Sequence, residues 1–264
     1  PPEEPEITHT IYLDPNGGTC DVESISIKDG YFYGTLPVPT RQYYKFIGWF
    51  TSTEYGSSPI TINTIAHESR TIYAHWEIDF PISGSCGDGI SYTLNINGNL
   101  VISGNGDMQS HPWTVDELKN YVRKVSLSEG ITWICNQAFE NCTNLGGTLT
   151  IREGITLGDY AFNNTSIEKL IVENGITMPS GSFENCKELK EVIIGDNVIF
   201  EIAKGYRRGT FSNDNKLINV KMGENIEIDG DISDTEHVLF YNCTGLEEIT
   251  VKSLSKVSRG AFKG

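Results

Sequence analysis

From the middle of the chain onward, apolar residues recur as short apolar-x-apolar triplets. These are Leu149-Thr150-Ile151, Leu170-Ile171-Val172, Val192-Ile193-Ile194, Val220-Lys221-Met222 and Ile249-Thr250-Val251, with Val125-Ser126-Leu127 ahead of them. Each reads as a strand whose first and third side chains point inward and whose middle one points outward. An aromatic marker opens each unit: Phe139, Phe162, Phe183, Phe211, Phe240 and Phe262, at intervals of 23, 21, 28, 29 and 22 residues. The basic unit is therefore about 22 residues long, and two copies carry insertions, at 202–210 and 229–239. A fixed period of this kind predicts a solenoid, in which each unit buries its apolar face only against its neighbours.

The corner after each aromatic is polar: Asn141-Cys142, Asn163-Asn164, Asn185-Cys186, Asn213-Asp214 and Asn242-Cys243. An Asn there caps backbone groups that no neighbouring strand reaches. Repeat register makes Cys142, Cys186 and Cys243 small buried thiols rather than halves of bridges, and Cys135 is expected to be buried with them. Cys20 and Cys86 lie outside the repeat, and their disulfide state stays open. No pair of cysteines has C-x-x-C spacing, so no zinc site is expected.

Ahead of the repeats, 91–96 and 99–103 alternate across Asn97-Gly98, which predicts a β-hairpin. Thr114-Val115-Asp116-Glu117 then reads as a capping box opening a short helix over 114–122. Hairpin and helix together would cover the exposed end of the first repeat. Earlier still, 8–14, 22–27, 44–50 and 71–76 read as strands of a separate small domain. Trp49 and Trp76 are expected to pack in its core, because small domains need large buried side chains.

Two resemblances follow from these motifs. The recurring Ala-Phe-x-Asn-Cys-x-x-Leu and Glu-Gly-Ile turns resemble the BspA-like leucine-rich repeats of bacterial surface proteins, over about residues 123–264. The preface Ser85-Cys86-Gly87-Asp88, Gly98-Asn99-Leu100 and Pro112-Trp113 accompanies them. Residues 8–77, through Asn16-Gly17-Gly18-Thr19, Gly48-Trp49-Phe50 and Tyr73-Ala74-His75-Trp76-Glu77, resemble the Listeria–Bacteroides repeat, a β-grasp-like module. The expected architecture is mainly β. A linker (1–7) leads into a β-grasp-like module (8–78), a hairpin-helix cap (79–122) and a leucine-rich-repeat solenoid (123–264). Both resemblances imply surface display, adhesion, or contact with a host, matrix or bacterial surface protein.

Composition narrows the chemistry. The 264 residues carry a formal charge of −15, which disfavours a phosphate-binding surface and hence nucleic acid as a partner. No segment approaches the roughly 20 apolar residues of a membrane-spanning helix. The opening Pro1-Pro2-Glu3-Glu4-Pro5-Glu6 reads as a stiff charged linker. His9, His67, His75, His111 and His237 fall in separate segments without metal spacing, and no catalytic motif appears, so neither an enzyme nor a cofactor is expected. Asp229, Asp231 and Asp234 form a weak calcium candidate that lacks EF-hand spacing. The binding candidates are the outward residues Ile171, Ile193 and Lys221, because contiguous exposed apolar surface marks contact sites. They are joined by Tyr206, Arg207 and Arg208 on the first insertion, since insertions in repeat proteins commonly form binding loops. Tyr43, Tyr44 and Tyr206 keep a glycan-binding alternative open, and a plain structural spacer is the third.

Overall fold

A computed structural model of the chain describes residues 6–202, 209–230 and 239–257. The chain divides into two compact units, Pro1–Phe80 and Pro81–Gly264. The first is built on β1 (Thr8–Asp14), β2 (Ser24–Lys28), β3 (Tyr44–Phe50), β4 (Pro59–Ile60) and β5 (Arg70–Ile78). They form one sheet in the order β2-β1-β5-β3-β4, with β1 and β5 parallel at its centre and antiparallel pairs on either side, a β-grasp-like arrangement. Alternation along β1 and β5 buries Ile11, Leu13, Ile72 and Ala74 against Ile27 and Trp49. Both tryptophans pack as expected. Trp49 Nε1 donates to Pro37 O at 2.8 Å and Trp76 Nε1 to Pro15 O at 3.0 Å, while Phe46 meets each ring edge-on. Gly18 has to be glycine: a Cβ there would lie 2.6 Å from Thr40 O and from the Trp76 ring.

The second unit begins with β6 (Ile82–Gly87), β7 (Ile90–Leu94), β8 (Asn99–Gly104) and β9 (Gly106–Asp107). The hairpin is present, but Leu94 pairs with Leu100, so its loop is longer than the two residues Asn97-Gly98. Asn95 O accepts from Gly98 N–H at 2.8 Å, and Gly98 takes φ +78 as the left-handed residue that closes a three-residue connection. The helix expected over 114–122 does not form. Two single 3₁₀ turns, Pro112–Thr114 and Lys119–Tyr121, stand in its place. Thr114 Oγ1 donates back to His111 O at 2.9 Å instead of capping, and Val115 is extended at ψ 150. That irregular path lets Trp113, Leu118 and Val122 all point inward with no exposure, which one short helix face would not do.

The solenoid follows: β10 (Lys124–Leu127), β11 (Ile131–Ile134), β12 (Gly146–Ile151), β13 (Thr156–Leu157), β14 (Ser166–Val172), β15 (Thr177–Met178), β16 (Glu191–Ile194), β17 (Ile199–Ile202), β18 (Asn219–Met222), β19 (Ile226–Gly230), β20 (Glu248–Val251) and β21 (Leu254–Val257). Triplet strands stack in parallel as β12-β14-β16-β18-β20, and the strands after the Glu-Gly-Ile-type turns stack in two parallel runs, β11-β13 (with β9 of the cap beside β11) and β15-β17-β19-β21. One correction concerns Ser126. Its strand, β10, pairs with β8 of the cap rather than with β12, so Ser126 leaves the outward column expected of it. Between β10 and β12, the Arg152 guanidinium donates to Leu127 O at 3.3 Å, to Ile131 O at 3.2 Å and to Ser128 O, so a side chain bonds carbonyls across the break.

One aromatic per turn forms a continuous spine. Phe139, Phe162, Phe183, Phe211 and Phe240 stack at centroid separations of 4.8, 5.2, 6.1 and 5.5 Å. Trp113 closes the stack 5.6 Å from Phe139, and its Nε1 donates to Ala138 O at 2.7 Å. Phe139, Phe162, Phe183 and Phe211 are fully buried and Phe240 half-buried, and full burial of one such ring is worth about 1.5–3 kcal/mol, so the column is a substantial apolar support of the turns. The Asn two residues past each Phe adopts left-handed φ: Asn141, Asn164, Asn185, Asn213 and Asn242. In the second copy the corner residue is thus Asn164, not Asn163, and Thr165 takes the cysteine's place, buried at 3%. Asn tolerates this conformation better than most residues and links the turns through its amide, as in Asn164 Nδ2 to Asn141 Oδ1 at 2.8 Å and Asn242 Nδ2 to Asn213 Oδ1 at 2.9 Å.

Candidate functional site

The middle residues of the five triplets in β12, β14, β16, β18 and β20 align as expected. Register pairs Thr150 with Ile171, Ile171 with Ile193, Ile193 with Lys221 and Lys221 with Thr250. Inward positions are sealed: Leu170, Val172, Val192, Ile194, Val220 and Met222 are at most 3% exposed. Ile171 and Ile193 touch across the ladder and are half-buried rather than fully exposed, because each β-branched side chain covers part of its neighbour. Around them the surface turns polar. Lys169 Nζ lies 2.7 Å from Glu191 two ladder positions before them, and its ammonium holds the Glu191 carboxyl below the usual range. Thr150 and Lys221 flank the pair on the neighbouring strands and are exposed. The result is a small apolar centre with a charged rim on a hydrogen-bonded, rigid sheet.

Other sequence candidates fare differently. Tyr206, Arg207, Arg208, Asp231 and Asp234 lie outside the described residues. Asp229 is described: it stands exposed on β19 and pairs with Lys256 Nζ at 2.7 Å. One face of the Tyr44 ring is taken by the Arg41 guanidinium, 3.9 Å from its centroid. All six cysteines are free thiols. Burial pushes Cys86 and Cys135 up to about 11 and Cys142 up to about 12, which keeps them protonated and unreactive.

Two groupings were not legible in the sequence. Asp214 occupies the buried cysteine position of its turn, with no exposure, and accepts the Cys186 N–H on Oδ1 at 2.7 Å. Its Oδ2 and the nearby Ser212 Oγ have no hydrogen-bond partner among the described residues. Burial, with Glu184 as a further acidic neighbour, raises the Asp214 carboxyl well above its ordinary range. In the first unit, His9 and His67, from distant segments, meet on Asp29.

Stacked parallel turns, an aromatic spine and an Asn/Cys corner define a leucine-rich-repeat β-solenoid. The chain belongs to the BspA type leucine rich repeat family, whose profile matches in six copies over residues 118–228 and 211–264. Residues 9–75 match the Listeria-Bacteroides repeat domain. Both are typical of bacterial surface proteins. No curated protein matches the chain. Similar solved structures include a leucine-rich repeat protein from Eubacterium ventriosum, 21% identical with a TM-score of 0.40, over 69% of this chain and 45% of that one. Another is a leucine-rich repeat protein from Bacteroides ovatus, 12% identical with a TM-score of 0.24, over 69% of this chain and 76% of that one. The chain thus spans less than half the length of the first. Among the described residues, no helix is long and apolar enough to cross a membrane.

Proposed function

We propose that this chain is a non-enzymatic bacterial cell-surface or secreted protein that holds a host, matrix or bacterial surface protein on the outward face of its triplet sheet. The observation that carries the reading is the Ile171–Ile193 pair, adjacent across the ladder and ringed by Lys169, Glu191, Lys221 and Thr150. Apolar centres inside polar rims are where binding energy concentrates in protein interfaces. Covering the remaining apolar surface yields roughly 25 cal/mol per Å², and a preformed parallel sheet loses little entropy in presenting it. Lys221 and the Lys169–Glu191 pair would fix orientation and exclude like-charged partners more than they add affinity.

The test is to probe one preparation on an immobilised array of extracellular-matrix and bacterial surface proteins and, in parallel, on a glycan array. Binding to protein spots with a silent glycan array supports the proposal. Glycan binding alone would make the region a carbohydrate-binding accessory, and silence on both would leave it a spacer.

A further inference from the structure

Buried polar side chains are not spread evenly through the solenoid. Among the described residues, six of the seven flank two successive aromatics: Ser180, Ser182 and Glu184 beside Phe183, and Thr210, Ser212 and Asp214 beside Phe211. Three of them reach carbonyls. Ser182 Oγ donates to Pro179 O at 2.9 Å, Ser180 Oγ to Glu201 O at 3.2 Å and Thr210 Oγ1 to Pro179 O at 3.4 Å. Ser212 Oγ and Asp214 Oδ2 have no partner among the described residues. Each such atom costs about 1–3 kcal/mol, so the step between these two turns carries a penalty. The aromatic spine is also widest there. Phe183 and Phe211 stand 6.1 Å apart, against 4.8, 5.2 and 5.5 Å for the other phenylalanine pairs, and Phe200 meets Phe211 edge-on across the same step.

The groups facing Asp214 come from the turns on either side. Before it stand Glu184 and Cys186, whose N–H donates to Asp214 Oδ1 at 2.7 Å. After it stands Cys243, whose Sγ donates to Phe211 O at 2.8 Å. Burial raises both thiols above their ordinary value, so they stay protonated. At the surface, Lys216 Nζ pairs with Glu188 across the step at 2.7 Å, and that exposed pair adds little.

We propose that the solenoid carries a pH-operated breakpoint between the Phe183 and Phe211 turns, where the turns from Phe211 onward part from those before it as Asp214 ionises. Each turn of a solenoid touches only its neighbours, so one weak step can open while the blocks on either side stay folded. Burial raises the Asp214 carboxyl well above 3.8 in the closed form, whereas the open form gives its carboxylate to water. The closed form therefore holds a proton that the open form releases. Its advantage is complete below about pH 4 and declines as pH rises toward the closed-state value, by up to about tenfold per pH unit.

Hydrogen exchange of the full chain at pH 5 and pH 8, corrected for intrinsic rates, tests the breakpoint. The Phe183, Asn185, Gly223 and Glu227 amides donate across the step, to Thr210, Ser212, Ile194 and Val198 carbonyls. Their protection should fall at least about tenfold at pH 8, the effect of one pH unit over which closed and open forms differ by a proton. The Phe139 and Phe162 amides, bonded to Ala161 and Ser182 within the earlier turns, should then exchange well behind them. Asp214→Asn should abolish the fall, and Asp214→Cys decides the matter if Asp214→Asn fails to fold. Equal protection at both pH values, a fall shared equally by Phe139 and Phe162, or a fall that survives the substitution would overturn the proposal.

Discussion

Replacing Asp214 with Asn should flatten part of the pH dependence of folding. Asp214 is a carboxyl at a position where three other turns carry Cys and one carries Thr, with no exposure and no hydrogen-bond partner for its Oδ2 among the described residues. Desolvation dominates its shift, so the folded pKa lies well above the unfolded 3.8. The folded state then holds a proton that the unfolded state releases. Stability from this group is present below about pH 4 and declines as pH rises toward the folded pKa. A single proton contributes about 1.4 kcal/mol per pH unit across that window. The amide introduced by Asp214→Asn keeps an acceptor for the Cys186 N–H and carries no charge. Urea unfolding at several pH values should show the two proteins equally stable in mild acid, with Asp214→Asn pulling ahead steadily as pH rises and then holding a constant lead. Asp214→Cys, the repeat's own choice, should gain as well. Parallel stability curves for wild type and Asp214→Asn would refute the reasoning, because they would mean that Asp214 ionises equally in both states.

Three further outcomes follow from the same structure. Phe162→Ala removes a ring stacked at 4.8 and 5.2 Å on its neighbours and should cost about 3–5 kcal/mol in thermal or denaturant unfolding, while Phe240→Ala, at a half-buried ring, should cost less. Arg152→Met keeps the apolar stem but leaves the carbonyls of Leu127, Ser128 and Ile131 without their cation, and should cost about 1.5–3 kcal/mol in the same assay. Because burial raises the thiols of Cys86, Cys135 and Cys142 to about 11, 11 and 12, a thiol reagent at pH 8 should label them only after denaturant is added.

The architecture was readable because period and alternation are local properties. The Phe markers among the described residues, the inward triplet residues of β12, β14, β16 and β18 and both tryptophans of the first unit took their expected places, whereas Ile249 of the last triplet stands 37% exposed. Local rules failed where tertiary demands were stronger. Thr114 to Glu117 has a capping-box spelling, yet Trp113, Leu118 and Val122 all had to reach the interior, and no short helix aims three such residues inward. Ser126 has the triplet spelling, but its strand completes the cap's sheet. In the second copy an Asn-Asn pair hid which residue turns the corner, and left-handed φ settles it as Asn164. The outward column was legible from alternation, whereas its half-burial depends on which side chain stands on the next strand. Asp214 looked like an ordinary corner residue, and the meeting of His9 and His67 on Asp29 required the β1–β5 pairing, which sequence spacing does not contain.

The central claim is that Ile171 and Ile193 are the contact surface. Its most direct measurement compares wild type with Ile171→Glu/Ile193→Glu on whichever matrix or surface protein the array identifies, after circular dichroism and thermal unfolding have shown that the fold is intact. Both residues point outward from a sheet whose core lies on the other side, so the fold should hold while affinity falls at least about tenfold, the loss of one buried apolar contact or more. Unchanged affinity in a folded double variant would contradict the account and move the contact surface elsewhere on the chain.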